Sequence, residues 1–541
     1  MPAESLRPRP VGPTEVGPGD PRYEALRRGF NQRWVAGPDY VVVAASTADV
    51  VAALNTHLAG TVGLDSPPRR ITVRSGGHCY ENFVCGDDVA VIIDVSTMDG
   101  VYYDTEMEAY CVEAGATNWH AATQLYRRHG LAVPGGSCYS VGAGGHISGG
   151  GFGLLSRLHG LTVDYLYAVE VVTVRDRSHA EVTVARKDSP ERAVHDLWWA
   201  HTRWWRRQLR RGHPLLVPRP ARTAGPGADQ GAGLGVGPLQ GVPRQVQVPG
   251  GPLRRVLRDL FTLLKLNNHA KGKVGLVIQL DGTRRDSIER LNRFLNWLAP
   301  EEDYPQTLFD LAMGEHRPLN DQFIPTRLPW LTATQNFNDS GPSRCGKYKS
   351  AYHTGNFSER QLDVLFAHLT SEYKNEDALL QVDSYGGRIN DVDPFATAVP
   401  QRSSVLKLQY QAYWTWGDDA NHDGVWDYQD ALVDPSIAAP HLKWIRDFYQ
   451  DMYAETGGVP VMPTPEVPGI TNTDGCYINY PDVDLNDPEF NDPVEGQPWY
   501  LLYYGANYER LQRTKAYWDP RNVFRHEQSV RLPGKDGSVD R

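Results

Sequence analysis

"GGSCYSVGAGGHISGGGFG", residues 135–153, is almost half glycine, and Cys138 and His146 stand among its bare positions. A chain omits side chains where its backbone must approach something closely. A dinucleotide fingerprint of Rossmann type needs a helix directly after its glycines. A strand-rich stretch, "VDYLYAVEVVTVRDRSHAEVTVAR", follows here instead. The remaining use of such glycines is a loop whose backbone N–H groups meet a diphosphate. "VRSGGHCYE", residues 73–81, repeats the theme, with His78 directly behind two glycines at a strand end. Taken singly, His78 is an ordinary turn histidine and Cys138 an ordinary small buried residue. Together they are two reactive side chains, 60 positions apart, each set in a close-approach glycine turn. That pairing points to one ligand held between them.

Working outward, "DYVVVAAS" reads as a strand, and "STADVVAALNTHL" as a helix capped by Ser46 with Asp49. "RRITVRSGGHCYENF" is a strand ending in a glycine turn, and "VAVIIDVSTMDGVYYD" a buried strand leading into a hairpin. "AATQLYRRHGLAVPGG" is a short helix closed by Gly130. The stretch after the glycine run alternates as two antiparallel strands about a turn at Asp176–His179. From about 253 to 470 helices and strands mix again, with strands at "GKVGLVIQLDG" and "DALLQVDSYGGRIN". "APHLKWIRDFYQDMYAETGG" is an amphipathic helix, with Leu442, Ile445, Phe448, Tyr449 and Met452 on one face and Gly457 as its stop. The fold class is α+β, and 541 residues suffice for two or three domains.

Composition removes several function classes. A net charge of −10 argues against nucleic acid as a partner. No run of about 20 apolar residues exists, so no membrane-spanning helix is expected. The N-terminal "MPAESLRPRPVGPTEVGPGDPRY" has no apolar core segment, which points to a mobile leader and a cytoplasmic protein. Six cysteines without a CxxC spacing argue against a zinc site or a disulfide framework.

The segment 203–252 breaks this texture, being built chiefly of Arg, Gly, Pro, Ala, Leu, Val and Gln. One reading is a flexible linker. A sharper one starts from Trp204–Trp205, whose codons must be TGGTGG. Shifted by one base, "RWWRRQLRRGHPLLVP" can become "GGGGDNFGVVTRYWFP", a glycine turn followed by a strand. The expectation is therefore a frame error restored before "LRRVLRDLFTLL".

"RSGGHCYENF", "PGGSCYSVGAGGHISGGGFGLLSRLHGLTVDYLYAVEVV", "DLWWAHT", "CYINYPDVDL" and "AYWDPRNVFRHEQSV" resemble the berberine-bridge-enzyme-like FAD-linked oxidases of the vanillyl-alcohol-oxidase/p-cresol-methylhydroxylase superfamily. The likeness spans the chain from about 20 to 533 outside 203–252, and tends toward actinobacterial sugar and antibiotic-tailoring oxidases. It implies a two-part FAD-binding domain of PCMH type over 26–252, after a leader at 1–25. A substrate domain, an antiparallel sheet covered by helices, is expected over 253–470, and 471–541 returns to the FAD domain. The resemblance makes His78 and Cys138 the two points where FAD is covalently attached to its ring. Arg74, Ser75, Gly76, Gly77, Val141, Gly142, Gly144, Gly145, His146, Gly149, Gly150 and Asn479 fall in the matching cofactor-binding stretches, Val141 at the position that gates oxygen. The family's "TGGGGGNFGVVT" is replaced here at Arg203–Leu216, and the shifted frame restores it.

On the substrate side, "GCYINYPD" supplies Tyr477 and Tyr480, and "QVDSYGG" supplies Gln381 and Asp383. By resemblance to oligosaccharide-oxidising relatives, Asp383 and Tyr480 form a pair. A phenol of pKa ~10 is a poor base at neutral pH. A carboxylate that accepts its proton lets it deprotonate a substrate hydroxyl. Gln381 is placed to bind a sugar hydroxyl. The implied reaction oxidises a carbohydrate alcohol or hemiacetal and reduces oxygen to hydrogen peroxide. A tailoring oxidase of a glycosylated or polyketide antibiotic is the alternative, and a non-catalytic flavin or drug binder a third. Separately, "DANHDGVWDYQD" spaces Asp419, Asn421, Asp423, Asp427 and Asp430 as in a calcium loop, against the plainer reading of an acidic surface insertion.

Overall fold

The computed structural model describes residues 13–60, 69–175, 179–202, 215–218, 233–235, 263–267, 274–277, 326–328, 330–336, 341, 343–414, 435–463, 472–492 and 494–534. The first sheet holds β1 (Thr14–Val16), β2 (Tyr40–Val43), β3 (Arg70–Arg74) and β4 (Val89–Asp94), in the order β1-β2-β4-β3. β4 runs parallel to both β2 and β3 and is buried along its whole length, as its unbroken apolar run requires. The helix Thr47–Ala59 follows β2 and starts where Ser46 accepts from the Asp49 N–H.

The second sheet is antiparallel and contains β5 (Val101–Asp104), β6 (Ala109–Val112), β7 (Ala168–Thr173), β8 (Glu181–Arg186) and β9 (Leu215–Pro218), in the order β5-β6-β9-β7-β8. β9 comes from the stretch read as misframed, and the shifted frame also places a strand after its glycines. Between β6 and β7 lie the helix Asn118–His129, closed by Gly130 in the left-handed conformation, and the glycine run. The strands β10 (Gly233–Gly235) and β13 (Thr326–Leu328) pair separately.

The third sheet, ordered β12-β11-β15-β16-β14, is antiparallel throughout. It joins β11 (Leu263–Asn267), β12 (Val274–Val277), β14 (Cys345–His353), β15 (Ala378–Ser384) and β16 (Leu406–Trp414). Register divides its faces. Ala351, Leu380, Val382, Leu408, Tyr410 and Ala412 share the side covered by the helix Pro435–Met452, against which the helix Glu359–Leu369 packs. Tyr348, Tyr352, Gln381, Asp383, Lys407, Gln409 and Gln411 share the other. The covering helix buries Trp444, Ile445, Phe448, Tyr449 and Met452, so Trp444 takes the place expected of Leu442. It starts at Pro435, earlier than its sequence pattern suggests, and Gly457 closes the short 3-10 turn that follows it.

The main core runs through all three sheets without a break. The segment 472–534 crosses back from the third sheet to the first two: Tyr352 N–H donates to Gly475 O, and Arg510 pairs with Asp196.

Candidate active site

The turn after β3 and the glycine run meet backbone to backbone. A Cβ added at Gly76 would fall 2.3 Å from Gly142 N, and one at Gly142 would fall 2.3 Å from Gly76 N. No side chain fits either position. His78 Nε2 lies 2.8 Å from Ser140 Oγ, which brings the histidine beside the loop that carries Cys138. Phe30 stacks on the His78 ring at 4.4 Å and fixes its plane.

This junction walls a cleft of about 600 Å³ bordered by Arg74, Ser75, Gly76, Gly77, His78, Val141, Gly142, Gly144, Gly145 and His146, among others. His146 also borders a second cavity of about 880 Å³ on the flank formed by Trp119, Tyr139 and Trp330. Its Nε2 accepts from Gly136 N–H at 2.8 Å, so the imidazole is held by the run itself.

The site residues suit FAD on three counts. A Cβ at Gly145 would meet nothing within 4 Å, so backbone faces open cleft there. The buried Asn479 donates to His146 O at 3.0 Å and to Tyr477 Oη at 2.8 Å, while its Oδ1 has no partner among the described residues. Cys138 is part-exposed, whereas Cys85, Cys111, Cys345 and Cys476 are buried. Burial pushes the Cys85 and Cys345 thiols up to about 11, which leaves them inert at neutral pH.

Several expected cofactor residues do other work. Gly149 makes room for Asn479, since a Cβ there would fall 1.8 Å from Oδ1. Gly150 packs against the Tyr477 ring. The Arg74 guanidinium is engaged by buried Asp94 and by the carbonyls of Leu26 and Arg28, so it braces the end of β3. The run is not purely a loop either: Ala143–Ser148 forms a short helix. Two glycines and a histidine in six residues made helix look improbable there, but hydrogen bonds from the Ala143 and Gly144 N–H groups to the Ala116 and Ala114 carbonyls override propensity.

Tyr477, Tyr480, Gln381 and Asp383 come together on the polar face of the third sheet. Asp383 does not meet Tyr480 directly. Lys407 stands opposite Asp383 across β15 and β16, binds its carboxylate at 2.5 Å, and donates to Tyr480 Oη at 3.3 Å. An ammonium between two oxygens is the better electrostatic match, so the expected pair is a triad. Lys407 also lies over the rings of Tyr480 at 4.6 Å, Phe152 at 4.7 Å and Tyr477 at 5.5 Å. Gln381 Nε2 donates to Asp383 Oδ1 at 2.9 Å. Burial pushes the Tyr480 phenol well above its ordinary value, with Tyr80, Asp383, Tyr477 and Cys138 adding to the effect.

Sequence reasoning missed Lys407, Tyr80 and Gln409. Tyr80 stacks on Tyr480 at 5.6 Å, and its Oη accepts from Gln409 Nε2 at 3.1 Å. The signal for two of them was the alternation Lys407, Gln409, Gln411 in "LKLQYQAYW", a strand with a polar face that is nevertheless buried. The proposed calcium ligands Asp419, Asn421, Asp423, Asp427 and Asp430 lie outside the described residues, as does nearly all of 203–252. Among the described residues no group of three or more acidic, His or Cys side chains is placed to hold a metal. No described helix is long and apolar enough to cross a membrane.

Comparison with known proteins bears on this geometry. The family model described as FAD binding domain matches residues 38–179, and that described as berberine and berberine like matches 476–531. The chain is 37% identical to the aclacinomycin-N/aclacinomycin-A oxidase of Streptomyces galilaeus, over 95% of this chain and 89% of that one. It is 35% identical to the hexose oxidase of Chondrus crispus, over 94% and 93%. The crystal structure of a glycopeptide hexose oxidase complexed with teicoplanin superposes with a TM-score of 0.78 at 33% identity, covering 96% of this chain and 99% of that one.

Proposed function

Because the chain belongs to the berberine-bridge-enzyme-like family of FAD-dependent oxidases, we propose that it holds FAD through His78 and Cys138 and oxidises a carbohydrate alcohol or hemiacetal. When bound, FAD would accept the hydride from the substrate carbon and deliver the electrons to dioxygen, giving hydrogen peroxide. The observation that carries the reading is the buried Asp383–Lys407–Tyr480 triad, whose Tyr480 ring is stacked by Tyr80, two residues after His78.

Tyr480 takes the proton of the substrate hydroxyl as its own phenolic proton is relayed through Lys407 to Asp383, which ends the step protonated. Burial of Tyr480 opposes ionisation, and the Lys407 ammonium stabilises the oxygen as the phenolate forms. Asp383 fixes that ammonium and neutralises it, so the site need not carry an unpaired buried cation. Gln381 orients Asp383 and presents its amide to a sugar hydroxyl. Tyr477 and Phe152 supply aromatic surface for the substrate's C–H groups, and Tyr80, stacked on Tyr480 and Tyr348, holds the base in place. Asn479 and the Gly145 backbone belong to the cofactor side, and Val141 to the path of oxygen.

A second reading is a tailoring oxidase acting on the sugar of a glycosylated antibiotic, favoured by the 37% identity to the aclacinomycin oxidase. A plain binder has no use for a buried base held by a lysine and a carboxylate.

Protein precipitated with acid should stay yellow, and a mass increase of one FAD should map to peptides containing His78 and Cys138. Peroxide release on a panel of mono-, oligo- and glycosylated substrates then separates the two oxidase readings. Colourless precipitate from cofactor-loaded protein defeats covalent attachment, and loaded protein that releases no peroxide with any panel member defeats oxidase activity.

A further inference from the structure

Away from the cleft, six charged groups are packed together, five of them where water hardly reaches and Arg446 at the rim. Lys347 Nζ lies 2.7 Å from Glu81 Oε1, 2.7 Å from Asp482 Oδ1 and 3.3 Å from Asp484 Oδ1. Lys349 Nζ lies 2.7 Å from Asp482 and 2.8 Å from Asp484, and Arg446 pairs with Asp484 at 2.9 Å. Three carboxylates face three cations. The Lys347 side chain is 1% exposed, and those of Glu81, Asp482 and Asp484 are 1%, 2% and 4% exposed. Such a cluster is a costly way to gain stability, because apolar side chains of equal volume often serve as well.

Its placement suggests what it does. β14 is the edge strand of the substrate sheet, and Lys347 and Lys349 point to the side away from the active site. Tyr348, between them, points toward the site and stacks on Tyr80 at 3.6 Å. The consecutive residues Tyr80 and Glu81 therefore grip one strand from both faces: ring on ring in front, carboxylate on ammonium behind. Tyr80 and Glu81 follow His78 in the turn that borders the cofactor cleft, and Asp482 follows Tyr480 by two residues. Among the described residues Lys347 is the cation that ion-pairs with both Glu81 and Asp482, beside a longer hydrogen bond of 3.4 Å from Val483 N–H to Glu81 Oε1.

Resting on the functional reading above, we propose that Lys347 is a positioning residue that sets the reach between the cofactor-anchoring turn and the base Tyr480. It acts through Glu81 on one side and Asp482 on the other and touches neither substrate nor cofactor.

The test is stopped-flow reduction of the FAD-loaded enzyme by its best panel sugar. The paired variant Glu81→Gln/Lys347→Met removes one charge of each sign, so the remaining four stay balanced. The expected result is FAD loading as in the parent and an unchanged KM. The limiting reduction rate should fall about tenfold or more, since misplacement by an ångström costs that much in an oriented reaction. Reduction at the parent rate in the paired variant overturns the proposal. Should that variant not fold, Glu81→Asp shortens one link by a methylene and keeps every charge, with the same drop expected and the same overturning result. Hydrogen exchange over residues 480–486 of the loaded protein gives a readout independent of turnover. It should quicken in either variant, and unchanged exchange also overturns the proposal. If the parent enzyme reduces with no sugar or glycoside, the functional reading fails by itself, and the exchange measurement still decides the role of Lys347.

Discussion

In the proposed reaction Lys407 is the residue on which the chemistry turns, although nothing in a list of charged residues marks it. It is fully buried, and its ammonium is shared by Asp383 and Tyr480. Tyr480→Phe removes the proton acceptor but leaves the cleft walls alone. Flavin reduction should slow by about 10²–10⁴, the range for loss of a general base, with FAD still attached. Lys407→Met keeps the volume and strands Asp383, so it should slow reduction comparably and also lower stability. Rapid-mixing kinetics on both variants checks this, and undiminished reduction in Tyr480→Phe removes the phenol from the mechanism. That the loops of His78 and Cys138 belong together was legible because glycines frame both, and the structure does set His78 against Ser140 of the Cys138 loop. Lys407 was not legible, because its meaning lies in a partner across the sheet, 24 positions earlier in the chain.

At the scale of the element, the glycine run shows how far composition can be read. That its backbone must approach something closely was legible; what each glycine approaches was not. Gly142 is pressed on Gly76, Gly149 on Asn479, and Gly145 alone of the run's glycines faces space with nothing within 4 Å. Alanine at these positions should therefore separate folding from cofactor uptake. Gly142→Ala should yield little soluble protein, because its Cβ would collide with backbone that has no freedom to yield. Gly145→Ala should fold with a melting temperature near that of the parent apoprotein yet take up less FAD, as read from yellow colour per mole of protein. Normal loading of Gly145→Ala would show that the cofactor does not approach there. The helix Ala143–Ser148 escaped the sequence pattern because glycine-rich helices form only under tertiary packing, which no local window contains.

For the whole molecule, strand alternation and capping gave the α+β class and most strand positions of the cofactor half. β4, the helix Thr47–Ala59 and the β7–β8 pair fall where their patterns place them. The joint between the halves could not be read, since ion pairs such as Glu81–Lys347 connect residues 266 positions apart. A different buried group links the whole fold to pH. His353, at the end of β14, is fully buried beside Tyr453 Oη at 3.1 Å, and burial lowers its pKa to about 3. The unfolded chain binds this proton below its ordinary value of about 6.5, and the folded protein does not until about pH 3. Stability should therefore fall as pH drops through that window, by about 1.4 kcal/mol per unit from this group, and show none of this dependence above it. Denaturant titrations at pH 7, 6, 5 and 4 should show the slope, and His353→Asn should flatten it; equal slopes in the two proteins assign the acid sensitivity elsewhere.

The glycine run closes on itself: a Cβ at Gly153 would fall 1.7 Å from Gly135 O. Cys138 is thus displayed by a ring of backbone that exists only after its ends have met. With FAD tethered there as proposed, tethering has to come last in the maturation of each molecule. A copy that never closed the ring would remain colourless for life, and pigment surviving denaturation becomes a census of the molecules that once folded.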